Sequence, residues 1–180
     1  MAIRKADVTI AGISPLLMHR YPMEPIEAIE KKPAKEQAEI AAYRIPDDSG
    51  ELYIPSVAIQ RCLIAGATYL KGKGRATLQK PAAACVLTTP EYVGLGTDEY
   101  EIDSRPVVMP ATRGRIVRHR PRLNEWGVTF GLEWDDALLS EKQMREVVDA
   151  AGQRCGLLEF RPAKKGPFGR FVVNKWEKSD

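Results

Sequence analysis

The sequence predicts an α+β fold of the ferredoxin-like (split βαβ, RRM-like) class, because of the order of its strongest local patterns. These patterns are strand, helix, strand, strand, helix and strand, over 3–11, 56–70, 82–88, 127–134, 140–151 and 169–176. A chain of 180 residues is long enough for one domain with a substantial core. We therefore expect a single domain over 1–180 with two insertions, over 22–54 and 104–122. Both helices should cover one face of the sheet and leave the other face open.

The predicted strands rest mainly on apolar residues that alternate with polar ones. The pattern is clearest over 127–134, where Val128, Phe130, Leu132 and Trp134 alternate with small or polar residues. The stretch 3–11 alternates in the same way. The run 82–88 does not alternate, and its apolar character alone favours a buried strand. The last strand, 169–176, follows a glycine-containing loop.

The two core helices have recognisable start and stop signals. Ser56 is a candidate N-cap for the first helix, and Gly72 would end it. Ser140 and Gln143 fit a capping box for the second helix, and Gly152 is its expected stop.

Inside the first insertion, 22–35 is expected to be an exposed connection and 36–43 a short helix. Residues 51–54 should then pair with 43–45, whereas 97–103 is expected to be an acidic loop.

Several classes of protein are disfavoured by composition and motifs. The three cysteines have no close spacing, which predicts neither a disulfide framework nor a metal site. No run approaches the roughly 18 apolar residues of a membrane span, and no signal-peptide core begins the chain. The motifs GxxxxGK(S/T), HExxH and GxSxG do not occur. We therefore expect a non-enzymatic cytoplasmic protein with no cofactor, no metal and no membrane partner.

The stretch Arg105–Arg122 has the most unusual charge in the chain. It contains six arginines and one histidine but no Asp or Glu, and a turn at Pro110–Gly114 favours a β-hairpin. Such a hairpin repels itself unless an anion or an acidic partner lies against it. Arginine matches phosphate with two parallel hydrogen bonds and stacks on bases, which favours nucleic acid. The candidate contacts are Arg105, Arg113, Arg115, Arg118, His119, Arg120 and Arg122. The alternative is a solvated edge that prevents strands of different molecules from pairing.

Two further basic segments could contact phosphates. Lys71, Lys73 and Arg75 follow the first core helix, although lysines there could simply complement the helix dipole. The loop 156–169 and Arg170 combine Lys164 and Lys165 with glycines whose amides could cradle a phosphate. Phe168 in this loop could stack on a base. The alternative for this loop is an ordinary turn before the last strand.

His19 is the candidate for catalysis if the protein cleaves RNA. A histidine can act as general acid or base at neutral pH, with arginine or lysine supporting the phosphate. The sequence identifies no partner for His19, and a surface histidine close to bound phosphate is the alternative.

The layout resembles the RAMP superfamily of CRISPR-associated proteins, most closely the backbone subunit of Cascade-type effector complexes. The residues that carry the resemblance are Ile54-Pro55-Ser56 at the start of a helix that contains Arg61, and the late stretch Gly166–Gly169. The family's motif has the form Ile-Pro-Gly-Ser-Ser. The resemblance implies a sequence-independent grip on a single-stranded backbone by head-to-tail oligomers, with Arg61 near the nucleic acid. The small size of the chain fits a stand-alone relative carried by a phage or plasmid.

Three functional hypotheses follow from these observations. The first is a non-enzymatic, oligomerising protein that binds single-stranded RNA or DNA. The second is a metal-free endoribonuclease that uses His19, as the related repeat-processing enzymes of the superfamily often use a histidine. The third is a protein-interaction module whose hairpin docks on an acidic partner. For the first, replacing Arg115, Arg118 and Arg120 together is expected to abolish binding and leave the fold intact.

Overall fold

The computed structural model, which describes residues 2–179, has a mixed α+β fold with antiparallel sheets. The strands are β1 (Ile3–Gly12), β2 (Leu16–Leu17), β3 (Tyr53–Pro55), β4 (Leu87–Thr89), β5 (Tyr92–Gly94), β6 (Glu101–Val108), β7 (Arg115–Leu123), β8 (Gly127–Asp135) and β9 (Phe171–Ser179). The α-helices are α1 (Ile26–Glu30), α2 (Ala34–Ala41), α3 (Ser56–Gly66), α4 (Gln79–Cys85) and α5 (Glu141–Ala150). None of the helices in this range is both long and apolar enough to cross a membrane.

A four-stranded antiparallel sheet forms the centre of the fold, in the order β4-β8-β1-β9. Its register pairs Ala6 with Leu132 and Val8 with Phe130, so the alternating apolar residues of both strands lie on one face. That face is buried in a core to which α3 and α5 also contribute. The predicted alternation in β1 and β8 is therefore confirmed.

The opposite face of this sheet is mostly polar, with Ile3, Leu87 and Val172 as exposed apolar residues. The Thr9 and Thr129 hydroxyls lie 2.8 Å apart, and the Lys5 ammonium pairs with Glu133 at 3.0 Å. Cross-strand partners share a face, and the residues described here on this face of the four strands include no aromatic side chain. The face therefore lacks the rings on which RNA-recognition modules stack bases.

The prediction of a strand over 82–88 is wrong for most of these residues. Residues 79–85 form α4, and only Leu87–Thr89 is extended, pairing with β8. The run of alanines favours a helix, and Pro81 lies in the first turn, where its missing N–H costs no intrahelical hydrogen bond. Apolar composition without alternation could not separate these two states.

The first insertion is more helical than predicted. The stretch 22–35, expected to be a connection, contains α1 and the start of α2. The predicted pairing of 51–54 with 43–45 is confirmed at one bridge, Arg44 with Leu52, but Tyr53–Pro55 pairs mainly with β5. The predicted acidic loop over 97–103 is also wrong from Glu101 onward, where β6 begins.

The second core helix ends later than predicted. The capping box of Ser140 and Gln143 is confirmed, but the chain continues after Ala150 into a π-helical turn over Ala151–Cys155. Gly156, with a φ of 70°, ends this turn instead of Gly152. A Cβ on Gly152 would lie 2.3 Å from the Phe171 carbonyl oxygen, so Gly152 permits close packing against β9. Ser56 is the first residue of α3 and not its cap, since Pro55 occupies that position.

Candidate nucleic-acid interface

The arginine-rich hairpin forms as predicted, with strands longer than expected. Strands β6 and β7 pair from Glu101 with Arg122 to Val108 with Arg115. Met109 and Gly114 close the turn through a 2.9 Å backbone hydrogen bond. The base of the hairpin also pairs with β2, through Leu16 with Leu123 and Leu17 with Arg122. Because cross-strand partners share a face, Arg105, Arg118, Arg120 and Arg122 lie on one side of the hairpin.

Asp103 supplies the carboxylate that the arginine stretch lacks. It is 7% exposed and accepts two hydrogen bonds from Arg105, each at 2.6 Å, and Arg122 lies 3.5 Å away. The hydrogen bonds from Arg105 hold the pKa of Asp103 below its usual value. One carboxylate of the hairpin therefore approaches two of the six arginines.

The base of the hairpin is docked on the loop 156–169. The Arg105 guanidinium lies 4.9 Å from the centroid of the Phe168 ring, and Arg122 lies 5.4 Å from the same ring. Phe160 packs edge-on against Phe168. Phe168 is only 6% exposed, so its ring packs beneath arginines and presents no open face for the predicted base stacking. Two segments that the sequence presents separately thus form one surface.

The remaining hairpin arginines differ in exposure. Arg120 is 4% exposed and lies 3.9 Å from Glu159, and burial lowers the pKa of its guanidinium. Arg118 lies 3.9 Å from Glu30 on α1. Within residues 2–179, no ion pair involves Arg113 or Arg115, which are exposed at the tip. His119 is hydrogen-bonded to Ser104 at 2.7 Å.

The backbone amides of the loop 156–169 are already used inside the protein. Gly166 donates to the Arg161 carbonyl at 3.0 Å, Gly169 to Pro15 at 2.8 Å, and Phe168 to Phe160 at 3.1 Å. The predicted phosphate cradle needs these amides to be unbonded, and they are not. Lys164 and Lys165 remain exposed on the loop, as does Arg170, which donates to the Gln153 carbonyl at 3.1 Å.

A cleft of about 310 Å³ separates α3 from this loop, and its lining includes arginine, histidine and carboxylate side chains. Helical spacing places Val57, Arg61 and Ala65 on one face of α3, and all three line the cleft. Arg161 lines the opposite wall and donates to the Leu158 carbonyl at 2.6 Å. The further lining residues are His19, Tyr43, Pro55, Ala58, Cys62, Cys155, Gly156, Leu158, Glu159 and Ala163.

His19 enters this cleft with a partner that the sequence does not reveal. Its Nδ1 lies 3.8 Å from a carboxylate oxygen of Glu159. Burial lowers the pKa of His19 despite the opposing effect of Glu159, which favours the neutral form of the imidazole. In the part of the chain that the structure describes, no three His, Cys, Asp or Glu side chains are grouped to hold a metal.

The third basic segment forms a separate loop at the end of α3. Lys71 and Thr77 form a bridge that closes this loop, and Gly72 donates to the Ala76 carbonyl at 2.9 Å. Lys71, Lys73 and Arg75 are exposed on it. In the chain this loop follows α3 and the segment Ala67–Tyr69, and one face of α3 lines the cleft.

The structure thus unites Arg61, His19 and the loop 156–169, which the sequence offers separately, and adds Arg161, Glu159 and Tyr43. Arg161 and Glu159 lie in the loop already singled out, but no spacing links them to a helix a hundred residues earlier. Tyr43 carries no signal in the sequence. Comparisons with models of known protein families and with curated proteins find no match to this chain.

Proposed function

We propose that this protein binds single-stranded nucleic acid through its phosphate backbone and performs no chemistry on it. The observation that carries the proposal is the cleft between α3 and the loop 156–169, with Arg61 and Arg161 on its two walls. Two arginines that line one cleft favour an anion there, and Glu159 is the only carboxylate among the lining residues.

The surroundings of the cleft favour a long anion over a small one. Lys164 and Lys165 are exposed on the same loop, and Lys71, Lys73 and Arg75 extend the positive surface past the end of α3. A groove whose cations continue beyond its ends is suited to track the backbone of a single strand. The tip arginines Arg113 and Arg115 are further candidates for phosphate contacts.

The ferredoxin-like plan and the RAMP resemblance support this proposal. The strand order β4-β8-β1-β9, with α3 and α5 packed on one face, agrees with a split βαβ core. Arg61 lies in the helix that begins after Ile54-Pro55, the motif on which the resemblance rests. The resemblance also implies head-to-tail copies along the strand, and we include that assembly in the proposal.

A binding titration tests the proposal. Labelled single- and double-stranded oligonucleotides, both RNA and DNA, are titrated with the protein, and fluorescence anisotropy and light scattering are recorded. We expect tighter binding to single strands, with complexes that grow in mass with oligonucleotide length. The absence of binding to every oligonucleotide would refute the proposal, whereas a complex of constant mass would refute only the assembly.

A second candidate function is metal-independent cleavage of RNA, which the position of His19 in the cleft, 3.8 Å from Glu159, favours. The neutral imidazole of His19 would take the proton of a 2′-hydroxyl, whose oxygen then attacks the adjacent phosphorus. The 5′-oxygen leaves and takes a proton from water, which gives a 2′,3′-cyclic phosphate. Arg61 would stabilise the charge that develops on the phosphoryl oxygens.

For this second function, we expect RNA to be cleaved in the presence of a chelator, with cyclic phosphate ends. His19→Ala should reduce the rate about 100-fold or more, since general acid–base catalysis contributes about that much. His119→Ala is the matched control, because His119 does not line the cleft, and it should reduce the rate far less than His19→Ala. Intact RNA after incubation with the wild-type protein would exclude this function and leave the binding proposal standing.

A further inference from the structure

We infer that Tyr69 is a base-stacking residue that continues the nucleic-acid path from the cleft along α3. This inference rests on the proposed function and adds to it a contact with a nucleobase. Tyr69 combines an exposed ring, an arginine stacked on that ring and a position on the segment that continues α3.

The ring of Tyr69 is both exposed and stacked on a cation. It is 53% exposed, and the Arg154 guanidinium lies 5.1 Å from its centroid. A guanidinium on one face leaves the other face for a second flat group. Tyr69 ends a short 3₁₀ segment, Ala67–Tyr69, that continues α3, and the buried Ala67 fixes that segment to the core. The ring is therefore presented from a rigid element.

The position of Tyr69 fits a strand that leaves the cleft. Arg61 and Tyr69 are eight residues apart on one helical segment, which is about 12 Å at roughly 1.5 Å per residue. Cys155 lines the cleft, and Arg154, which stacks on Tyr69, is its neighbour in the chain. A backbone held by Arg61 thus needs only a few nucleotides to bring a base to Tyr69.

The charges beyond Tyr69 support the same path. Lys71, Lys73 and Arg75 are exposed on the loop that directly follows it, and no ion pair involves them within residues 2–179. The sequence of groups along α3 is therefore cations in the cleft, an aromatic ring on an arginine, and cations again. Proteins that bind single strands without reading their sequence combine a positive groove with aromatic rings in this way.

The test compares Tyr69→Ala and Tyr69→Phe on two probes, a normal single-stranded oligonucleotide and one of the same length whose central nucleotides lack bases. Stacking on an aromatic side chain should make Tyr69→Ala bind the normal probe about 5- to 100-fold more weakly. Tyr69→Phe keeps the ring and should stay within about twofold of wild type. On the abasic probe, Tyr69→Ala and wild type should have the same affinity.

Two results would overturn the inference. One is a Tyr69→Ala affinity within twofold of wild type on the normal probe, and the other is an equal loss on both probes, which a distorted protein would produce. The failure of the proposed function is distinguishable from both, because the wild-type protein would then bind neither probe.

Discussion

Replacing Arg120 with alanine is expected to lower the free energy of unfolding by about 2–4 kcal/mol, the range for truncating a large buried side chain. Arg120 is 4% exposed, so its aliphatic stem is packed inside the protein. Its Nε has no hydrogen-bond partner within residues 2–179, and Glu159 lies 3.9 Å from Nη1. The loss therefore comes from packing more than from the ion pair. Arg120→Met should recover a large part of it, because methionine refills the space of the stem.

Arg115→Ala is the matched control, because Arg115 is exposed on the same strand. Its free energy of unfolding should stay within about 0.5 kcal/mol of wild type. Urea denaturation followed by tryptophan fluorescence measures all three variants. Equal stability of Arg120→Ala and Arg115→Ala would show that the hairpin base is not packed as described.

The sequence predicts that Arg115, Arg118 and Arg120 can be replaced together with the fold intact. Because Arg120 is buried, we expect its replacement to destabilise the fold, and it should be left out of such a test. A binding variant of the hairpin should change Arg113 and Arg115 only, since both are exposed at the tip and outside the ion pairs formed within residues 2–179.

Arg61→Glu is expected to weaken binding of a single-stranded oligonucleotide about tenfold or more. A hydrogen bond to a charged group contributes about 1.5–3 kcal/mol, and each 1.4 kcal/mol is tenfold in affinity. Arg61 is exposed on α3 and lines the cleft, so the substitution should leave stability within about 0.5 kcal/mol. Anisotropy titration at constant salt measures the change.

Lys142→Glu is the control for net charge. It changes the total charge by the same amount, but Lys142 lies in the first turn of α5, whereas the cleft adjoins Cys155 beyond the other end of that helix. Its affinity should stay within about twofold of wild type, as expected of a charge remote from the contact. Equal losses in both variants would mean that overall charge, and not the cleft, determines binding.

The sequence predicts the parts of the fold that have a local periodic signal. The alternation from Val128 to Trp134 and the capping box at Ser140 each specify one structure, and both elements form. The segment 82–88 has apolar residues without a period, and the helix there follows from alanine content and the position of Pro81. Gly152 resembles a helix stop, but its role is close contact with Phe171, which depends on tertiary packing.

The candidate site is predictable only in pieces. Arg61 and the loop 156–169 are identifiable from the sequence, but the cleft exists because the fold packs that loop beside α3. The charge of the hairpin stretch overstates its free cations, because Asp103 and Glu159, which lie outside the stretch, approach its arginines. Phe168 looks like a stacking platform in sequence and is buried by those same arginines.

The salt dependence of single-strand affinity tests the central claim most directly. Each phosphate neutralised on a single strand contributes a slope of about −0.7 in the logarithm of the association constant against the logarithm of salt concentration. With at least Arg61 and Arg161 engaged, the wild-type slope should be about −1.4 or steeper. Arg61→Gln should reduce its magnitude by about 0.7. An affinity independent of salt, or a slope that Arg61→Gln leaves unchanged, would contradict binding of the phosphate backbone in this cleft.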